Sequence, residues 1–441
     1  MPAKKPTASR TKSTKPAKTT KTKPAVSKTR LVRQKKVVKV KKSLTKKPVP
    51  NLETTYLETD ANFNLPDLPR LTDKKNSNRY WNWLIGFTGL ALALLIISGL
   101  ISVFVTVPTK QATDNQLKEL TNQNTYTGPT LTAIAPLTGL PTDEVSAQRR
   151  PWAVVIENFP TVRPQNGLSF ADLVIESPTE GGITRFVAIF QSQLPTGSIG
   201  PIRSARSYFN DWIRPLAPFF SHSGGSTKAL QQLARGYGDI QDVNEFYNAA
   251  AYQRNNSLTA PHNLFTSAEK FFSYVQQKNW SSLQTIKPLN FTTDNQPGQP
   301  AGQIMIPYQP EEYLVTYQYL PEKKSYQRSL MGVKQTDALN NQSILVSNAV
   351  ILATDIDPIP NDELKRTELR TLGKGTAWLF SQGQVYKGFW NKDKPDSYLT
   401  FIDDNEQPLP FKPGNTWISV IDESLLKEIK IDSSTPALNL E

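Results

Sequence analysis

The chain has 441 residues, 38% of them hydrophobic, with no cysteine and two histidines, His222 and His262. Disulfides, thiolate metal sites, a cysteine nucleophile and a lipid-modified cysteine are thereby excluded, and a zinc site would need both histidines plus carboxylates, so no metal or other cofactor is expected. The net charge of +13 belongs to one end: residues 1–80 hold 22 Lys and Arg against 5 Asp and Glu, while the remaining 29 basic and 33 acidic residues sum to −4, which argues against a nucleic-acid surface over the whole protein.

Residues 1–50 are rich in Lys, Thr, Pro, Ala and Ser and contain no acid. Such a stretch buries too little apolar surface to offset its ordering entropy, so the segment 1–80 is predicted to be a disordered basic cytoplasmic tail. Its run Lys35-Lys36-Val37-Val38-Lys39-Val40-Lys41-Lys42 suits a solvated topology signal, contact with anionic lipid or nonspecific contact with nucleic acid. Residues 84–107 carry no charge and follow Tyr80, Trp81 and Trp83. That pattern predicts a single transmembrane helix, and the basic residues before it put the N-terminus inside a bacterial cytoplasmic membrane and the rest outside. Residues 108–130 read as a polar stalk.

From 131 to 284 apolar runs at 152–156, 173–175 and 183–191 alternate with helical patterns at 204–216, 227–235 and 267–277. The alternation predicts an α/β extracytoplasmic domain with a mixed sheet. A linker at 285–302 follows, centred on Asp294-Asn295-Gln296-Pro297-Gly298-Gln299-Pro300. Residues 303–441 hold short β-type runs, two of them separated by Ser381-Gln382-Gly383-Gln384, and predict a smaller, mostly antiparallel β domain.

Polar groups crowd into Gly and Pro turns between 149 and 267. Glu157 and Asn158 close the first strand, Arg163 follows in a turn, and Arg185 opens a later strand. Arg203-Ser204-Ala205-Arg206 leads into a predicted helix, where an anion is favoured. Two arginines there would grip a carboxylate or phosphate bidentately. The same arginines would also serve as struts by pairing with Glu157, Asp172, Glu176, Glu180 and Asp211. His222-Ser223-Gly224-Gly225-Ser226 offers Ser226 either as a nucleophile beside a base or as the N-cap of the 227–235 helix. His262, before Asn263, suits a loop hydrogen bond or a general base. Phe219, Phe220, Tyr208 and Trp212 suit an aromatic wall for a sugar or peptide, or a core. No Walker loop or dinucleotide fingerprint is present.

Several of these motifs together resemble the YerB-like family of bacterial envelope proteins. The resemblance rests on Ile156-Glu157-Asn158, Arg163-Pro164-Gln165-Asn166-Gly167-Leu168, Glu180-Gly181-Gly182-Ile183-Thr184-Arg185, Gly200-Pro201-Ile202-Arg203-Ser204-Ala205-Arg206 and Ser223-Gly224-Gly225-Ser226. It extends more loosely through Gly388-Phe389-Trp390 and Pro413-Gly414-Asn415-Thr416-Trp417-Ile418, covering roughly residues 136–430. It implies an envelope protein of two domains with no established reaction, so no catalytic residue is carried over. Members of the family look like lipoproteins tethered through a cysteine, which this chain lacks.

Three functions remain in view. The first is a noncatalytic envelope protein that binds a cell-wall fragment, an anionic glycan or peptide, or a partner protein. The second is an envelope hydrolase or transferase acting on peptidoglycan or glycan. The third is a tail that tethers DNA or anionic lipid.

Overall fold

The computed structural model describes residues 131–434. Trp152–Glu157 (β1) is apolar but for its last residue and is buried at every position. A strand without alternation is covered on both faces. The strands Leu173–Pro178 (β2), Thr184–Phe190 (β3), Phe219–His222 (β4) and Gln241–Asn244 (β5) join it. The second half contributes Asn348–Thr354 (β6), Gly373–Ser381 (β7), Gln384–Lys392 (β8) and Thr416–Asp422 (β9).

These strands form a single eleven-stranded sheet in the order β8-β7-β6-β9-β2-β3-β1-β4-β5, extended beside β8 by Gln299–Pro300 and Thr400–Ile402. The two halves of the chain meet where β9 runs parallel to β2, with Thr416 opposite Leu173 and Ile418 opposite Ile175. Strands from either side of segment 285–302 therefore share one ladder of hydrogen bonds. A second sheet of six strands, including Gln303–Ile306, Val315–Leu320 and Ser325–Leu330, is antiparallel.

The helices are Glu144–Gln148 (α1), Ser207–Ile213 (α2), Thr227–Ala234 (α3) and Ala268–Gln277 (α4). One apolar cluster joins Trp152, Val154 and Val174 of the main sheet to Ile304 and Tyr317 of the second sheet and Phe271 of α4. The other joins Ala153, Ile175 and Ile418 to Phe209 and Trp212 of α2. Each fully buried Phe, Leu or Ile contributes about 1.5–3 kcal/mol relative to exposure.

Two expectations of fold class need correction. The α/β reading of 131–284 gives way to a mostly β structure. The three expected helices exist but are short, ten residues at most. From β1 to β3 the connections hold only single 3₁₀ turns, at Pro160–Val162, Leu168–Phe170 and Glu180–Gly182, and β3 lies antiparallel between β1 and β2. Strand–helix alternation weighed three short helices as heavily as the strands, which dominate the described residues. The single transmembrane helix is not supported either. Among the described residues no helix is long and apolar enough to cross a membrane. The predicted span 84–107, the basic tail and the stalk lie outside the described residues.

Candidate functional site

β1, β4 and β5 run parallel, in register from Trp152 opposite Phe219 and from Phe219 opposite Gln241. Their C-terminal ends put Glu157, His222 and Asn244 along one edge of the sheet. Backbone groups come free at such ends, which makes them natural ligand positions in sheets with parallel strands.

Glu157 is the centre of the first cluster. It is buried to 4% exposure. Its Oε1 accepts from Arg203 Nη2 at 2.5 Å and its Oε2 lies 2.9 Å from His262 Nδ1. Burial pushes the Glu157 carboxyl up, but the His262 hydrogen bond and the Arg203 charge outweigh it and hold the group below its ordinary value. His262 Nδ1 is also 3.1 Å from Arg203 Nη2, which is a donor only. The carboxylate is the better partner, so Nδ1 carries the proton and donates to Glu157. His262 Nε2 then has a free lone pair and no partner among the described residues. The ring is partly exposed and stacks on Phe159 at 5.5 Å. Arg203 Nε is buried with no partner.

Glu180 organises the second cluster. It pairs with both Arg185 and Arg206. Burial raises its carboxyl, and the two guanidinium charges overcome that to bring it down to about 2. Arg185 Nη1 and Arg206 Nη1 also donate to the Ser204 carbonyl, at 3.3 and 3.4 Å. Because Glu157 and Arg185 are direct neighbours across β1 and β3, the two clusters lie on the same sheet end. The turn that carries Glu180 requires glycine. Gly182 has φ +79°, and a Cβ there would lie 2.3 Å from the Gln309 carbonyl oxygen.

The remaining predicted site residues are elsewhere or already committed. Asn158 is buried, donates to Thr184 Oγ1 at 2.8 Å and accepts from Arg163 Nε at 3.1 Å and Gln165 Nε2 at 2.9 Å. Arg163 also donates to the Asn158 and Glu312 carbonyls and covers the Tyr313 ring, so each of its guanidinium nitrogens has an acceptor. Asp211 takes hydroxyls from Tyr237 at 2.6 Å and Thr371 at 2.7 Å, not an arginine. His222 is wholly buried between the Gly224 carbonyl and Asp242 Oδ1. It reaches neither His262's cluster nor a serine. Ser226 accepts from the Ala229 N–H and caps α3, which accounts for it without a nucleophilic role. Asn263 Oδ1 accepts from Arg254 at 3.1 Å. Tyr208, Trp212, Phe219 and Phe220 are all buried core rather than a wall.

Sequence reasoning passed over 241–258, where a short polar strand gives no apolar pattern. That stretch supplies Glu245, which accepts from Ser223 at 3.1 Å and from Arg254 at 2.8 Å. It also supplies Phe246 and Tyr247, 66% and 82% exposed, the aromatics that face solvent at this edge. Phe246 packs over Gly224, whose φ of +61° and lack of a Cβ allow the close approach. A polar cleft of about 440 Å³ lies between the 161–166 turn and the 253–258 loop, lined by Asn166, Ser198, Gln253, Arg254 and Asn255. Among the described residues no group of three His, Asp or Glu side chains is placed to hold a metal ion.

Beneath the site lies a buried polar network. Glu176 and Arg328 are both fully buried and meet at 2.5 Å. Arg328 also donates to Gln335, and its guanidinium lies 4.8 Å from the Trp417 ring. Gln335 continues to Gln165 at 3.2 Å, and Gln165 donates to the Glu157 carbonyl at 3.1 Å. Asp337 joins the halves a second time by accepting from the Gly167 and Ser169 N–H groups at 2.9 and 2.8 Å.

Residues 137–281 match the family model described as "Protein of unknown function (DUF3048) N-terminal domain", and residues 304–418 match its C-terminal counterpart. The chain is 37% identical over 290 residues to "Putative lipoprotein YerB" of Bacillus subtilis (strain 168), an alignment spanning 65% of this chain and 86% of that protein. A crystal structure of the YerB protein from Bacillus subtilis superposes with a TM-score of 0.61 at 34% identity, over 68% of this chain and 100% of the other.

Proposed function

Because the chain belongs to the DUF3048 family of proteins of unknown function, with a relative that bears a lipoprotein name, we propose that it is a bacterial envelope protein whose sheet-end site binds an anionic cell-wall glycan or peptide. The observation that carries this reading is the Glu157–His262–Arg203 arrangement. Glu157 fixes the His262 ring through Nδ1, which leaves Nε2 of this partly exposed ring without a partner among the described residues, beside a guanidinium. One acceptor nitrogen and one cation, held by a buried carboxylate, suit a ligand with a hydroxyl or amide donor next to a carboxylate. Tyr247 and Phe246 add exposed rings on which a sugar face stacks.

The test is titration of purified residues 109–441, which contain every described residue, with soluble fragments of peptidoglycan and anionic wall polymer. Arg203→Ala and His262→Ala each weaken binding by about tenfold or more, and each retains the far-UV spectrum of the parent. Equal binding by parent and both variants refutes the reading.

An enzyme is the second reading, favoured by the same Glu157–His262 pair, since a carboxylate that orients a histidine prepares it as a general base. Turnover of cell-wall material by the purified protein, lost in His262→Ala, distinguishes it from simple binding.

A further inference from the structure

The face of the main sheet that carries α2 contains a second cavity, unrelated to the polar edge. It measures about 210 Å³. Its floor is apolar and buried: Leu137, Leu173 and Trp212 from the first half, Leu409, Phe411 and Ile418 from the second. Its rim is different in character. Lys287, Pro288, Asn290 and Thr400 are exposed. The segment that carries the lysine is tied across the rim, with the Lys287 N–H donating to Tyr398 Oη at 3.0 Å and the Leu289 N–H to the Pro136 carbonyl at 3.0 Å.

Size and chemistry narrow the occupant. An apolar cavity of roughly 150 Å³ admits a guest the size of benzene, and drug-sized ligands occupy about 300–1,000 Å³. A space between these limits suits one hydrocarbon chain. The buried floor is apolar but for Thr416, whose hydroxyl already accepts from Asn348 Nδ2 at 3.5 Å, and empty apolar walls lose dispersion contacts that a methylene chain restores. At the rim Lys287 supplies a cation, and no carboxylate among the described residues pairs with it. We propose that this cavity takes the tail of a single-chain carboxylate amphiphile, with Lys287 facing the head group.

Trp212 lines the cavity and reports on it directly. The experiment uses residues 109–441, which contain every described residue; a crystal structure of the relative superposes on 68% of this chain over 100% of its own length. A brominated dodecanoate, kept below its micelle concentration, quenches tryptophan fluorescence saturably in the parent. The saturable component vanishes in Trp212→Phe, where the other tryptophans remain as controls. Ile402→Trp, which fills the cavity from its partly exposed side, weakens binding at least tenfold. Lys287→Glu, at an exposed position that does not test the fold, weakens the carboxylate about fivefold and leaves a brominated dodecanol within about twofold. The proposal is overturned if the soluble acid gives no saturable quenching, if quenching arises only from vesicles of brominated phospholipid, or if a folded Ile402→Trp binds as the parent does. It is equally overturned if Lys287→Glu changes acid and alcohol alike.

Discussion

Glu176 meets Arg328 and Glu157 meets Arg203 at the same 2.5 Å separation, and the two pairs lie at opposite ends of one hydrogen-bonded network. Their surroundings differ. Both side chains of the first pair are wholly buried, and Arg328 is further enclosed by the rings of Trp417, Phe186 and Tyr317. In the second pair Arg203 keeps 20% of its side chain exposed, and the carboxylate has a second partner in a partly exposed histidine. The interior pair is closed off from solvent and joins the two halves of the chain. Each pair leaves its arginine Nε without a partner, but only the edge pair adds a free nitrogen on a partly exposed histidine. Charge type and distance do not separate a strut from a site; exposure and the free histidine nitrogen do.

The largest expected effect breaks the strut. Arg328→Met leaves Glu176 buried without its cation and costs about 3–5 kcal/mol, because an unpaired interior charge keeps its desolvation penalty. Adding Glu176→Leu removes the orphaned charge and recovers much of that loss. Arg203→Ala costs only about 1 kcal/mol, since Glu157 retains His262 and loss of the partly exposed Arg203 side chain admits water to it. Urea unfolding midpoints of the four proteins check the order. Equal losses for Arg328→Met and Arg203→Ala would erase the distinction.

The edge was partly legible in the sequence and the strut was not. Glu157, Arg203 and His262 stood out because polar residues in Gly and Pro turns have no packing reason to be there. Their convergence depends on β1 and the 260–263 loop meeting across about one hundred residues, which no local pattern encodes. Arg328 is a different case. It occupies a strand that reads Ser325–Leu330, SYQRSL, where an arginine looks like a solvated outward position. Only the packing of the second sheet against β2 turns it inward. The fold class failed for a related reason. Periodicity finds strands and helices singly, and says nothing of β9 pairing with β2 to merge the halves. The exposed Phe246 and Tyr247 were missed because exposure, not composition, distinguishes them from core aromatics.

Glu180 gives a smaller, pH-dependent effect that tests whether the edge arginines are held by charge. Its carboxyl lies at about 2 against an ordinary 4.5. A lowered acid stabilises the fold fully above pH 4.5, and that contribution is lost as pH falls through about 2. Glu180→Gln should therefore lower stability at pH 7 by at most roughly 3 kcal/mol, with the difference between parent and variant shrinking from pH 4.5 downward. A constant difference across that window would mean that shape, not charge, holds Arg185 and Arg206.

The smallest effect has the opposite sign and comes from a carboxylate with no guanidinium in contact. Asp172 is buried and accepts from the Gln191 and Ser192 N–H groups at 2.5 and 2.7 Å and from the Ser192 hydroxyl. Burial pushes its carboxyl up to about 6 from 3.8, outweighing those hydrogen bonds and the Arg149 charge. The native state holds a proton that the unfolded chain releases more readily. Its contribution is thus fully present below pH 3.8 and is lost as pH rises through about 6. Asp172→Asn keeps one carbonyl oxygen for the two N–H groups and offers an NH₂ to the Ser192 oxygen, which can turn from donor to acceptor. The variant should match or slightly exceed the parent at pH 7, by about 1 kcal/mol, and should lack the decline between pH 4 and 6. Thermal melts at half-unit pH steps read both features. A variant that retains the decline would place its origin in another group. A variant much weaker at pH 7 would mean that Asp172, like Glu157, serves as a carboxylate, and that an arginine in contact is not what keeps a buried acid ionised in this sheet.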